Sequence, residues 1–222
     1  MIKNLICKFI KLLFVLIFII SIIFTGFCFS IHNKIVNKYE IKNKVDIVQS
    51  NDNYVHISDI NQTFLNSIVA IEDHRFYEHG AIDLISIIRA ITINLKNDEI
   101  VEGGSTITQQ LAKNLFLNTQ QTLSRKVSEI FIAFELERLY TKEEILELYV
   151  NIIYYGDGHT GIKEACNGYF NKEPNEINND EATLLAGLPQ APNLYALSNH
   201  YNNALERQKE VIEALNKWNI QH

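Results

Sequence analysis

The sequence predicts a mainly α-helical domain carried behind an N-terminal transmembrane helix. Three observations predict it. Leu12 to Phe29 holds no charged residue and is mostly Leu, Ile, Phe and Val, a length that crosses the hydrocarbon core of a bilayer. From Ser58 onward apolar residues recur every three or four positions, as in Ile60, Phe64, Ile68 and Ile71, which places them on one face of a helix. Only three prolines and nine glycines interrupt 222 residues, so helix-breaking positions are few.

Residues 1–11 form a short N-terminus whose Lys3, Lys8 and Lys11 precede the apolar run, and the positive-inside tendency keeps that end in the cytoplasm. The domain then lies on the extracytoplasmic side of the cell membrane, tethered by a single pass. Lys34, Lys38, Lys42 and Lys44 follow the run but are diluted by Glu40 and Asp46. Residues 12–30 read as a retained signal-anchor, because the run ends in bulky residues with no small-residue cleavage site. Phe27, directly before Cys28, argues against lipidation of that cysteine. Residues 31–57 read as a juxtamembrane stalk, with alternation around Val45 to Val55 suggesting a short strand.

Residues 58–222 form the domain itself. After the helix through Ile71, a second follows Leu84, Ile87, Ile88, Ile91 and Leu95. Others are expected at about 106–117, 122–140 and 142–154, the last opened by Thr141 with Glu144 three residues on, a capping-box pattern. One more runs over about 179–187, stopped by Gly187 and Pro189, and a final one over about 202–218. With 26 acidic against 20 basic residues, nucleic acid is excluded as a natural partner. Cys7 and Cys28 fall at or in the membrane, which leaves Cys166 without a disulfide partner or a cysteine metal set.

Three stretches carry the chemistry. "AIEDHRFYEHGAIDL", residues 70–84, ends an apolar helix in a charged cluster around Glu72. "EGGSTITQQLAKNLFL", residues 102–117, pairs Gly103 and Gly104 with a helix start. That pattern suits either an anion cradle or an ordinary glycine loop with a helix cap. Gln109 and Lys113, four apart, share a helix face. In "SRKVSEIFIAFELERLY", residues 124–140, apolar residues occupy two sides of the helix and leave a narrow solvent stripe at Ser124, Ser128 and Glu135. Glu129 is then either a cleft residue or simply the i,i+4 partner of Arg125.

Two carboxylates, Glu72 and Glu129, with Lys113, Arg125 and Lys126 suit a reaction on a phosphorylated sugar. One carboxylate takes a proton from an attacking hydroxyl, while cations, or a metal on the other carboxylate, neutralise a departing pyrophosphate. A glycosidase with an alkoxide leaving group needs a protonated acid instead. His74 and His79, five apart, do not share a helix face and make a poor metal pair. His159 sits in a glycine-rich turn.

From about Leu65 to Leu197 the chain resembles the peptidoglycan glycosyltransferases of bifunctional penicillin-binding proteins and their monofunctional relatives. Five blocks occur in family order: "EDHRFYEHGAID", "GGSTITQQLAKN", "RKVSEIFIAFELE", "KEEILELYVNIIYYGDG" and "EATLLAGLPQAPNLY". The resemblance implies a lysozyme-like, two-lobed domain beside the membrane that acts on lipid II and the nascent glycan. It implies that Glu72 is the catalytic base for the acceptor 4-hydroxyl. It implies that Glu129 assists the leaving pyrophosphate or holds a divalent cation, Mg or Mn. Asp73, Phe76, His79, Gly104, Ser105, Thr106, Gln109, Gln110, Lys113, Asn114, Arg125 and Lys126 match positions that hold the site or bind substrate.

Gln121 departs from the basic residue many relatives carry there. No serine is followed three residues later by lysine and there is no KTG triplet, so no transpeptidase domain is expected and a separate transpeptidase would supply crosslinking. Two other readings are a lysozyme-like peptidoglycan hydrolase and a lipid II-binding scaffold without turnover.

Overall fold

A computed structural model describes residues 2–35, 38–97, 103–117 and 122–221; Gln121 lies outside them. In chain order the helices are α1 (Ile2–Ile35), α2 (Lys38–Gln49), α3 (Gln62–Glu72), α4 (Leu84–Asn97), α5 (Ile107–Phe116), α6 (Leu123–Leu139) and α7 (Lys142–Ile152). A short antiparallel hairpin, β1 (Tyr154–Gly156) and β2 (His159–Thr160), leads into α8 (Ile162–Phe170), α9 (Asn179–Gly187) and α10 (Tyr201–Gln221). The architecture is mainly helical, as the periodicity predicts.

The first helix is continuous for 34 residues, and Leu13, Phe14, Val15, Ile17, Phe18 and Ile20 along it are exposed. Among the described residues no helix is long and apolar enough to cross a membrane. In the Leu12 to Phe29 run the side chains of Leu12 and Cys28 lie outside the described residues. The following segment is not the stalk with a short strand that its alternation suggests. It is the helix α2, and Ile41 and Val45, four apart, are buried in the domain core with Val48 packed beside them. Spacing of four and three, masked by a polar majority, is the helical signal there. Lys44 fastens α2 by donating to the Leu115 carbonyl at 2.9 Å and lying over the Phe116 ring.

Two groups of helices frame the site. In one, α3 packs against α9 and α10, which also pack on each other. Asn61 caps α3 by accepting from the Phe64 N–H, and Phe64, Leu65, Ile68 and Val69 are the face it buries. In the other, α5 packs against α6 and α7. Capping boxes at Thr106 and Thr141 start α5 and α7, each satisfying donors that a helix start leaves open.

The solvent stripe expected on α6 is displaced. Ser128 is buried, while Phe134 is exposed, because α6 is flanked by α5 and α7 and also by α1. The periodicity did not yield the hairpin or α8. Gly156, Asp157 and Gly158 all adopt positive φ to turn the hairpin, and α8 has only nine residues with small buried positions such as Ala165 and Cys166. Gly161 starts α8 at φ +84°, and a Cβ there would fall 2.5 Å from the Asn151 carbonyl oxygen, so only glycine fits.

Candidate active site

Glu72 is the last residue of α3. A helix end aims its final side chain past the packed face, and here that direction is a cleft of about 340 Å³ lined by Glu72, His74, Arg89, Ser105, Gln110 and Arg207 among others. Glu72 Oε2 accepts from Gln110 Nε2 at 2.7 Å. Its Oε1 is buried without a hydrogen-bond partner. Burial pushes the Glu72 carboxyl above the usual carboxylate range, against the opposing pull of the Gln110 hydrogen bond and the charges of Arg207 and Lys113. A carboxylate that is desolvated and bonded on one oxygen only retains a basic oxygen with no hydrogen-bond partner of its own.

The turn after Glu72 is held from behind. Asp73 Oδ1 meets His79 Nε2 at 2.7 Å, and Asp73 Oδ2 accepts from the Ile107 N–H at 3.0 Å, tying the turn to the first residue of α5. Phe76 is fully buried, with Lys142 Nζ 4.3 Å from its ring centroid. Asp73, Phe76 and His79 therefore support the turn from beneath; none of them is among the residues lining the cleft. Asp73, His79 and Asp83 lie close enough to share an ion. Their oxygens are already engaged, however, with Asp83 accepting from the Ile85 N–H and from Ser86 Oγ.

The glycine stretch resolves into two functions. Thr106 and Gln109 cap α5 reciprocally and are buried, which is the ordinary cap reading. Gly104 lets the loop approach α4, since a Cβ there would stand 3.1 Å from the Ile87 Cα. Ser105, by contrast, reaches the cleft and accepts from Lys126 Nζ at 2.9 Å. Lys113 and Asn114 are exposed near the end of α5, and the Lys113 charge is felt at Glu72.

Glu129 is buried. Its Oε2 accepts from Arg125 Nη1 at 3.0 Å and its Oε1 from Lys126 Nζ. The i,i+4 pair with Arg125 is present; Glu129 does not line the cleft itself but stands behind Ser105, to which Lys126 links it. With both oxygens bound to cations, Glu129 does not fit a resident divalent ion, which wants several free oxygen ligands.

Three residues of the site escaped sequence reasoning. Arg207 on α10 is buried, and its Nη1 donates to Glu210 Oε2 at 2.5 Å; a charge between buried Ala204 and Val211 on one helix face was its signal. Tyr149 on α7 is fully buried and its hydroxyl lies 3.0 Å from Gln110 Oε1, with nothing in the spacing to mark it. Arg89 Nη1 lies 3.0 Å from His74 Nε2. Since a guanidinium only donates, that nitrogen accepts and the ring is neutral, in keeping with a His74 pKa lowered by burial and by the Arg89 charge.

The family described as Transglycosylase matches residues 38–216, which takes in α2 as well as the helices around the cleft. Over 162 residues the chain is 46% identical to penicillin-binding protein 1A of Aquifex aeolicus, covering 73% of this chain and 22% of that protein. It is 43% identical over 162 residues to penicillin-binding protein 1F of Bacillus subtilis, covering 73% of this chain and 23% of that one. A Cupriavidus necator protein provisionally named a transglycosylase is 40% identical over 162 residues, covering 73% of this chain and 70% of its own length. The chain thus spans less than a quarter of the two penicillin-binding proteins. With that family matched over residues 38–216, which hold Glu72, Ser105, Lys126 and Glu129, the chain belongs to the transglycosylase family.

Proposed function

We propose that this protein is a peptidoglycan glycosyltransferase that polymerises lipid II into β-1,4-linked glycan. The observation that carries the proposal is the half-satisfied, buried carboxylate of Glu72 in one cleft with Ser105, behind which Lys126 and Arg125 stand. Glu72 Oε1 takes the proton of the acceptor 4-hydroxyl as its oxygen bonds to the donor anomeric carbon. The bond from that carbon to the diphosphate oxygen breaks on the opposite side, inverting the centre. Lys113, Arg125 and Lys126 receive the developing negative charge of the undecaprenyl pyrophosphate, an electrostatic role that is strongest in a partly dry site. Glu129 holds Arg125 and Lys126 in position. With the Glu129 oxygens paired to Arg125 and Lys126, any Mg or Mn the reaction uses would take its hard oxygen ligands from the substrate diphosphate and would neutralise its charge.

The proposed setting is the extracytoplasmic face of the cell membrane, with α1 as a single-pass anchor. Two features support this. The 34-residue α1 is about 50 Å long at the α-helical rise and carries the uncharged run from Leu12 to Phe29. Leu84, Ile85, Ile88, Ile91 and Leu95 on α4 are exposed along one helix, an apolar stripe that suits contact with lipid. The substrate's lipid tail then stays in the bilayer while its sugars enter the cleft. A separate transpeptidase is the proposed partner for crosslinking. A hydrolase reading is less well supported, because cleavage of a finished glycan takes two working carboxyl groups and both oxygens of Glu129 are paired.

The test is incubation of the full-length protein with labelled lipid II in detergent and a divalent cation. A ladder that lysozyme digests supports the polymerase. Fragments released from finished peptidoglycan without lipid II would favour the hydrolase, and lipid II binding without turnover the scaffold.

A further inference from the structure

We infer that Tyr149 is a positioning residue for the reaction, its hydroxyl fixing the Gln110 amide so that the N–H side faces Glu72. The inference rests on Glu72 as the base and deepens that reading. Gln110 is a bridge between two groups, with Oε1 3.0 Å from the Tyr149 hydroxyl and Nε2 2.7 Å from Glu72 Oε2. An amide presents an acceptor at one end and donors at the other. Turned over, it would put its carbonyl against Glu72, an arrangement that makes a hydrogen bond only when the carboxyl is protonated. Amide orientation and the protonation of the base are therefore linked.

Tyr149 sets the orientation because its phenol can be relied on as a donor. The side chain is fully buried on α7, and burial, then the Glu72 charge, pushes its ionisation well above the usual phenol range. A phenol O–H prefers the carbonyl end of the amide, which leaves the N–H for Glu72. The other charged groups facing Glu72 are Lys113 from α5, Arg207 from α10 and Asp73 from the turn, with Arg89 and His74 in the same cleft wall. The contacts at the two ends of the Gln110 amide are Tyr149 at Oε1 and Glu72 at Nε2. The outcome is a one-sided base, with Oε2 occupied by Gln110 and Oε1 left for the substrate proton.

The test is Tyr149→Phe in the full-length protein, which keeps the ring and removes the hydroxyl. The acidic limb of kcat/KM against pH should move up by about half a pH unit or more, so that activity falls several-fold below the limb and recovers above it. In a Gln110→Ala background the same substitution should cause no further shift. A ¹³C carboxyl NMR titration of Glu72 in micelles, assigned with Glu72→Gln, should show the same upward movement without substrate. An unchanged titration, a loss uniform across pH, or an equal shift in the Gln110→Ala background would overturn the inference. If the wild-type protein fails to polymerise lipid II, the functional reading falls, while the NMR titration still decides the role of Tyr149.

Discussion

Asp73 and His79 meet at 2.7 Å directly behind the residue that ends α3. The other ring nitrogen of His79 lies 2.7 Å from the Gly80 carbonyl oxygen, so both nitrogens face acceptors and both donate. Burial, the largest single influence, lowers the His79 pKa, but the hydrogen bond and charge of Asp73 outweigh it and the net shift is upward. A histidine raised in the folded state contributes stability that is complete below its unfolded pKa, about 6.5, and is lost as pH rises through the folded value. His79→Gln should therefore destabilise the protein most below about pH 6.5 and progressively less on the alkaline side. Urea unfolding of both proteins across that range measures it, and a pH-independent loss would mean a neutral ring.

Glu72→Gln should abolish glycan synthesis and leave the helical circular-dichroism signal intact. The folded carboxyl pKa is raised, chiefly by burial, so the neutral form suits the fold better than the charged one. Wild type is penalised as pH rises through that value and is not penalised below the unfolded pKa of about 4.3. Glu72→Gln should then raise the melting temperature at neutral pH and have little effect at about pH 4. Retained polymerisation would remove Glu72 as base.

Arg125→Ala leaves a buried carboxylate with Lys126 as its remaining charged partner. The expected cost is about 2 kcal/mol, below the full loss of a buried pair because one cation stays. Polymerisation should fall at saturating substrate as well, since leaving-group stabilisation acts in the transition state. Unchanged stability together with unchanged kcat would show that the pair is idle.

Phe76 separates substrate contact from support. Phe76→Leu, a fully buried change beneath Lys142, should cost roughly 1–3 kcal/mol through imperfect repacking. KM for lipid II should stay near wild type. A selective rise in KM at unaltered stability would instead give the ring a place in the substrate site.

Glutamate at Ile88 and Ile91 places two charges on the exposed stripe of α4. Sedimentation with anionic and neutral vesicles should show weakened binding, and liposome activity should drop more than activity in detergent, because charge is costly at a lipid contact. Equal binding by the variant and the wild type would leave α1 as the only proposed membrane contact.

The amino-acid order determined the helical class and most helix positions, and it singled out Glu72 and Glu129 as candidates. Apolar spacing of three and four and the Thr-x-x-Glu and Thr-x-x-Gln caps are local signals that survive into the fold. It did not separate supporting residues from cleft residues. Asp73, Thr106 and Gln109 look alike as polar motif residues; Thr106 and Gln109 close a local cap, whereas tertiary packing turned Asp73 onto the Ile107 N–H and His79. The same holds for α2, whose Ile41 and Val45 became core only when α7 and the end of α5 were beside them. Tyr149, which meets Glu72 through Gln110, and Arg207, whose charge acts on it, lie 77 and 135 positions along the chain from it, too far for any periodicity to register. Local pattern fixes elements because backbone hydrogen bonding is local, whereas the state of one buried carboxylate depends on what distant helices bring against it.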